Sequence, residues 1–296
     1  MPQAKFVRTL FRRPTLFPAG VGTVSKSDPK DRLGIPDPTQ WAVFFEDFNG
    51  SRGDTLTTSS AVSNGWAALN AGQGGVGTPL GVQVPDAAIG TNGLYKLTTS
   101  AGIADSIGFQ LHATLGQHFV FDITRKFYME TRLQLDSATL GDLGFGVVPA
   151  STSSLLTVQT DGFRIGKTNG VSTFQSDLFA ASNTPKLTTT SMFGGAAMPL
   201  SKMITMGMAY NGVAYGPGSF GPNSTTALTA VNFEFVFYVD LNDGNGIRQQ
   251  SVVAPSTSFS ANTVGLMPSV SYLNTTAVAR NVTMDYIMVA QERFNV

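Results

Sequence analysis

Apolar and polar residues alternate with a period of two from Trp41 towards the end of the chain, the spacing of half-buried β-strands. Residues 127–136 show it best. Phe127, Met129, Thr131, Leu133 and Leu135 take one face, and Tyr128, Glu130, Arg132, Gln134 and Asp136 the other. Residues 231–239 repeat the pattern, with Phe233, Phe235, Phe237 and Val239 opposite Asn232, Glu234, Val236 and Tyr238. The run Asn242-Asp243-Gly244-Asn245-Gly246 then supplies residues that accept positive φ, so 247–253 returns as the second arm of a hairpin. The same reasoning predicts strands at 41–48, 94–99, 106–112, 143–148, 162–167, 173–179, 203–210, 265–273 and 282–290. Residues 49–93 hold ten Gly and read as long loops with at most one short strand. Residues 211–230 read as a loop carrying Tyr215 and Phe220. No ten-residue stretch reads as helix, and the connections suit antiparallel pairing. The expected fold is one all-β jelly-roll sandwich over residues 41–296.

Composition sharpens this. The 296 residues include 25 Ser, 33 Thr and 32 Gly but only 13% charged side chains, about half the usual share. Strong helix formers are scarce, which excludes bundles, coiled coils and doubly wound α/β folds. The chain has no Cys, which excludes disulfides, thiolate metal sites and thiol catalysis. No run of about 20 apolar residues occurs, and the N-terminus lacks an apolar signal core. No membrane partner is expected.

Residues 1–40 break the pattern. Pro2, Pro14, Pro18, Pro29, Pro36 and Pro38 are six of the 15 prolines and favour an extended arm. Residues 1–32 carry seven basic and two acidic side chains, a net +5; the remainder carries twelve against seventeen, a net −5. The two parts attract weakly, within a molecule or between neighbours. Phe6, Leu10, Phe11, Leu16 and Phe17 have no core of their own and are expected to bury themselves on another surface. Arg8, Arg12 and Arg13 make too small a footprint for nucleic acid to be an expected partner.

Three segments together resemble the concanavalin A-like lectin/glucanase jelly roll. WAVFFEDFNG resembles its first strand, FYMETRLQL with LGFGVV its paired central strands, and VTMDYIMVAQER its last. Domains of this type resemble structural proteins of tailed-bacteriophage particles. The resemblance implies a virion protein, foremost a capsid decoration (cement) protein on the capsid surface, assembled in the host cytoplasm. Its partners would be the major capsid protein and other copies of itself, in a homo-oligomer such as a trimer. Its arm, through Phe6, Arg8, Leu10, Phe11, Arg12, Arg13 and Phe17, would clasp the shell. The alternative is a carbohydrate-binding module of a tail or fibre, with Trp66, Tyr215 and Phe220 as its aromatic platform.

Hydrolysis is not expected. The glucanase relatives place carboxylates at i, i+2 and i+4 of one strand, where acid and nucleophile flank a glycosidic bond. Here Glu130 is followed by Arg132 and Gln134, and Glu234 by Val236 and Tyr238. There is no G-x-S-x-G motif, and GQGGVG at 72–77 lacks a phosphate-binding Lys. No cofactor is expected. The resemblance does imply one structural calcium ion, at the positions occupied by Glu46, Asp47 and Asp285.

Overall fold

The computed structural model describes residues 41–46, 62–63, 66–71, 80–86, 91–103, 106–111, 121–149, 161–180, 184–215, 232–255, 257 and 266–293. They form two antiparallel sheets. The first runs β14 (Ile247–Pro255), β13 (Asn232–Asp240), β12 (Ile204–Tyr215), β7 (Lys126–Leu135), β16 (Asn281–Glu292), β5 (Thr91–Thr98), β4 (Leu80–Asp86), with β1 (Trp41–Glu46) also paired to β16. The second runs β11 (Leu187–Thr189), β10 (Gln175–Phe179), β9 (Gly162–Lys167), β8 (Asp142–Pro149), β15 (Leu266–Leu273), β6 (Ser106–Leu111), β3 (Trp66–Ala71), β2 (Val62–Ser63). Hairpins such as β12–β13–β14 and β8–β9–β10–β11 are joined to strands distant in sequence, β12 to β7, β7 to β16 and β8 to β15, as in the crossed connections of a jelly roll. No helix among the described residues is long and apolar enough to cross a membrane.

The core lies between the sheets and is built from the faces the alternation marks. Phe127, Met129, Leu133 and Leu135 of β7 meet Met206 and Met208 of β12 and Phe235, Phe237 and Val239 of β13. Across from them stand Phe145 and Val147 of β8 and Phe163 and Ile165 of β9. The Phe163 and Phe235 rings, one from each sheet, have centroids 4.4 Å apart, so the two faces interdigitate. Each such buried ring contributes about 1.5–3 kcal/mol. The β14 edge is half in water: Ile247, Gln249 and Ser251 are exposed, and the strand ends at Pro255.

The structure adds the unpredicted strand β11 and departs from the sequence reading in three further places. Residues 49–93 hold β2, β3 and β4, and β5 begins at Thr91. WAALNA in β3 has low strand propensity but pairs along its length with β6, whose backbone groups hold it extended. Strand β12 runs on through Asn211-Gly212 to Tyr215, because Gly212, at φ +75°, sits in a register shift that lets pairing with β13 resume at Ala214. In β16 the register shifts between Met284 and Tyr286. Met284 and Ile287 therefore both face the core, and Tyr286 is thrown outward.

Candidate functional site

The outer face of the first sheet is not the polar surface that alternation predicts. The registers of β13, β12, β7 and β16 put Tyr238, Gly207, Glu130 and Met288 in one row. Tyr238 and Glu130 are two strand spacings apart, about 10 Å. They meet because Gly207, between them, has no side chain: a Cβ there would collide with the Tyr238 hydroxyl and ring. Tyr238 donates to Glu130 Oε2, and its hydroxyl lies 2.5 Å from that of Tyr128. Tyr128 donates to Oε2 and Tyr286 to Oε1, each at 2.5 Å. Trp41, Ala209, Met288 and Ala290 pack around them, and the whole group is buried. A carboxylate sealed beneath three phenols is a hub for the sheet. It has no approach to a sugar polymer.

The second sheet carries the opening. The registers of β9, β10 and β11 align Arg164, Asp177 and Thr188. Arg164 Nε and Nη2 each donate to Asp177 Oδ2 at 3.0 Å. Thr188 donates to Oδ1 at 2.8 Å, and Gln175 Nε2 to Oδ2 at 3.1 Å. The guanidinium lies 5.2 Å above the Phe179 ring, while its buried Nη1 has no hydrogen-bond partner among the described residues. Asp142, Leu143, Gly166, Lys167 and Thr168 complete a small cleft of about 30 Å³. Lys167 is on the core side of β9 and fully buried. Its ammonium donates to the carbonyls of Leu140, at 2.9 Å, and Gly141, at 2.6 Å. Burial pushes it down to about 8, against the pull of Asp142. The Leu140 carbonyl also accepts from Tyr272 at 2.9 Å. Burial, helped by Asp136, holds that phenol well above its usual range, against the opposing pull of Arg280.

The residues singled out from sequence fall elsewhere. Trp66 and Tyr215, read as loop residues, lie in strands, opposite Leu111 and Asn232. Phe220 lies outside the described residues, and so do Asp47 and the arm positions Phe6, Arg8, Leu10, Phe11, Arg12, Arg13 and Phe17. Glu46 pairs with Ile287 across β1 and β16. Asp285 takes a bond of 2.7 Å from Arg132, a cation that competes with calcium for the same oxygen. Among the described residues no three Asp, Glu, His or Cys side chains gather.

No protein family matches this sequence, and no curated protein does. Among solved structures, the chain is similar to a protein of unknown function from Shewanella oneidensis MR-1, with 12% identity and a TM-score of 0.51 over 87% of this chain and 90% of that one. It also matches peanut lectin, at 8% identity and a TM-score of 0.47 over 87% and 100% of the two chains. A third match is the CBM2 module of the evolved Dit protein of Lactobacillus casei BL23 phage J-1, at 10% identity and a TM-score of 0.44 over 87% and 98%. At these identities the likeness is one of fold. The chain folds as the antiparallel jelly-roll β-sandwich that its sequence resemblance implies.

Sequence reasoning missed both polar clusters. Arg164 and Asp177 lie thirteen residues apart on adjacent predicted strands, and an opposite-charge pair at such spacing is a usable hairpin signal. The Glu130 hub had no comparable local signal.

Proposed function

We propose that the protein is a non-enzymatic, lectin-like module that binds a saccharide in the cleft beside Arg164, Gln175 and Asp177. The observation that carries this reading is the cleft itself: a small, polar recess whose guanidinium, amide and carboxylate are fixed on β9 and β10, with the Thr168 hydroxyl just past the end of β9. Vicinal sugar hydroxyls call for donors and acceptors at set spacings, and strand-borne groups hold them without ordering on binding. Asp177 is tied up by Arg164, Gln175 and Thr188, so it serves as a fixed acceptor and not as a proton donor to a leaving group. The sealed Glu130 supports the non-enzymatic reading as well.

The test is a glycan array followed by calorimetry on the full chain. Arg164→Ala and Gln175→Ala should each weaken binding by about tenfold, the loss of one good polar contact. A full chain that binds no saccharide overturns the reading.

A second reading, capsid decoration, rests on a different observation: the +5 charge and five large apolar residues of the first 32 positions, set against a net −5 elsewhere. The arm would bury those residues on major capsid subunits, and several arms on one oligomer would add avidity. Removing residues 1–40 should abolish occupancy on capsid shells. Full occupancy by the shortened chain removes this reading.

A further inference from the structure

The turn between β13 and β14, residues 241–246, carries chemistry that neither reading above uses. Asn-Gly pairs begin at Asn49, Asn64, Asn92, Asn169, Asn211 and Asn245. Asparagine before glycine is prone to lose its side-chain amide. A following residue without Cβ lets its own backbone nitrogen reach the asparagine's side-chain carbonyl. The reaction is slow where that nitrogen and that side chain are held by hydrogen bonds, and fast where they are free. Of these asparagines, the structure describes the side chains of Asn169 and Asn245, and it treats the two in opposite ways.

Asn169-Gly170 is fastened to other connections. The Gly170 N–H donates to the Thr139 carbonyl at 2.9 Å. Asn169 Oδ1 accepts from Thr275 Oγ1 at 2.8 Å, and the Asn169 N–H donates to Asp142 Oδ1 at 2.5 Å. Asn245-Gly246 is loose by comparison. Both residues are exposed, and the Gly246 N–H makes no hydrogen bond among the described residues. Gly246 sits at φ +75°, and a Cβ there would meet nothing within 4 Å, so the backbone has room to turn. Asn245 is held only from within the turn, by Asp243. Its N–H donates to Oδ1 at 3.0 Å, its side-chain amide bonds the same carboxylate, and Asp243 itself faces water.

We propose that Asn245 is a site of self-modification, at which the Gly246 backbone nitrogen attacks Asn245 Cγ and converts the residue to aspartate or isoaspartate. The nitrogen gives up its proton to hydroxide as the new C–N bond closes a cyclic imide. The Cγ–Nδ2 bond breaks, and the amide leaves as ammonia with a proton from water. Water then opens the imide at either carbonyl. In sum, one amide and one water become one carboxylic acid and one ammonia. The product puts a second carboxylate beside Asp243, which pairs with Arg248 at 2.6 Å. In the isoaspartyl form the backbone also gains a carbon, in a turn that already needs positive φ at Asn242, Gly244 and Gly246.

Peptide mapping by mass spectrometry, on the full chain aged at mildly alkaline pH, tests this. In the folded chain the peptide holding Asn245 should convert at least about tenfold faster than the peptide holding Asn169, because the bonds on Asn169 and Gly170 must open before that pair can react. In concentrated urea both turns are lost, and the two rates should converge. Asn245→Gln, whose longer side chain closes the ring slowly, should keep its amide over the same series. Conversion at Asn245 no faster than at Asn169 in the folded chain overturns the proposal. So does a contrast between the two that urea leaves unchanged, or a glutamine variant that converts as fast as asparagine.

Discussion

Replacing Glu130 with alanine should lower the unfolding free energy by about 3–5 kcal/mol, because buried phenols lose their acceptor and a cavity opens. Tyr286 would lose the acceptor 2.5 Å from its hydroxyl, and Tyr128 and Tyr238 would lose the carboxylate oxygen they share. Each buried donor left unsatisfied costs about 1–3 kcal/mol, and the vacated volume adds to that. The network spans β13, β7 and β16, across β12, so its loss loosens four neighbouring strands of the first sheet. Glu130→Gln keeps the shape but turns one accepting oxygen into an NH2 donor, and should lose about 1–2 kcal/mol. Urea unfolding midpoints of the two variants measure the difference. A loss below about 1 kcal/mol for the alanine variant would mean that the phenols find other partners and the hub adds little.

The second large effect is a stability that rises with pH above neutrality. Lys167 ionises near 8 when folded and near 10.5 when unfolded. Between those values the unfolded chain binds the extra proton, so raising the pH favours the folded state. The gain amounts to about 3 kcal/mol by the top of the window and is lost again as pH falls through 8. Tyr272 acts in the opposite sense, because its phenol keeps its proton in the fold after the unfolded phenol has begun to ionise. Stability should therefore climb from pH 8 to about 10 and turn down beyond it. Lys167→Met removes the climbing limb and leaves the decline, as denaturant titrations at stepped pH would show. A climb of equal size in the methionine variant would assign it to another group.

The two sheets and their inner faces were legible because they rest on local periodicity. The faces of β7 and β13 follow from alternation alone, and the hairpin between β13 and β14 from its Asn, Asp and Gly. The hub was not legible. Its hydrogen bonds join residues two to 156 apart, and it needs three facts that no local pattern contains. The strand order sets β13 and β7 two places apart, Gly207 lies at the crossing, and a bulge beside Asp285 turns Tyr286 outward. Alternation also treats the outer face as solvent-facing, so Tyr128 and Tyr238 passed as surface residues. Lys167 was hidden for the opposite reason. A lysine at an inward position reads as a strand end, whereas the fold uses its ammonium to cap the carbonyls of a turn.

The edge strand of the first sheet, β14, shows water a row of Ile247, Gln249 and Ser251 and stops at a proline. Proline offers no amide proton, and polar side chains weaken the grip of an incoming ribbon. A stray polypeptide trying to zip onto that margin would run out of hydrogen bonds at Pro255. A chain this rich in valine, threonine and phenylalanine can thus be crowded at high local density without seeding fibrils from that side.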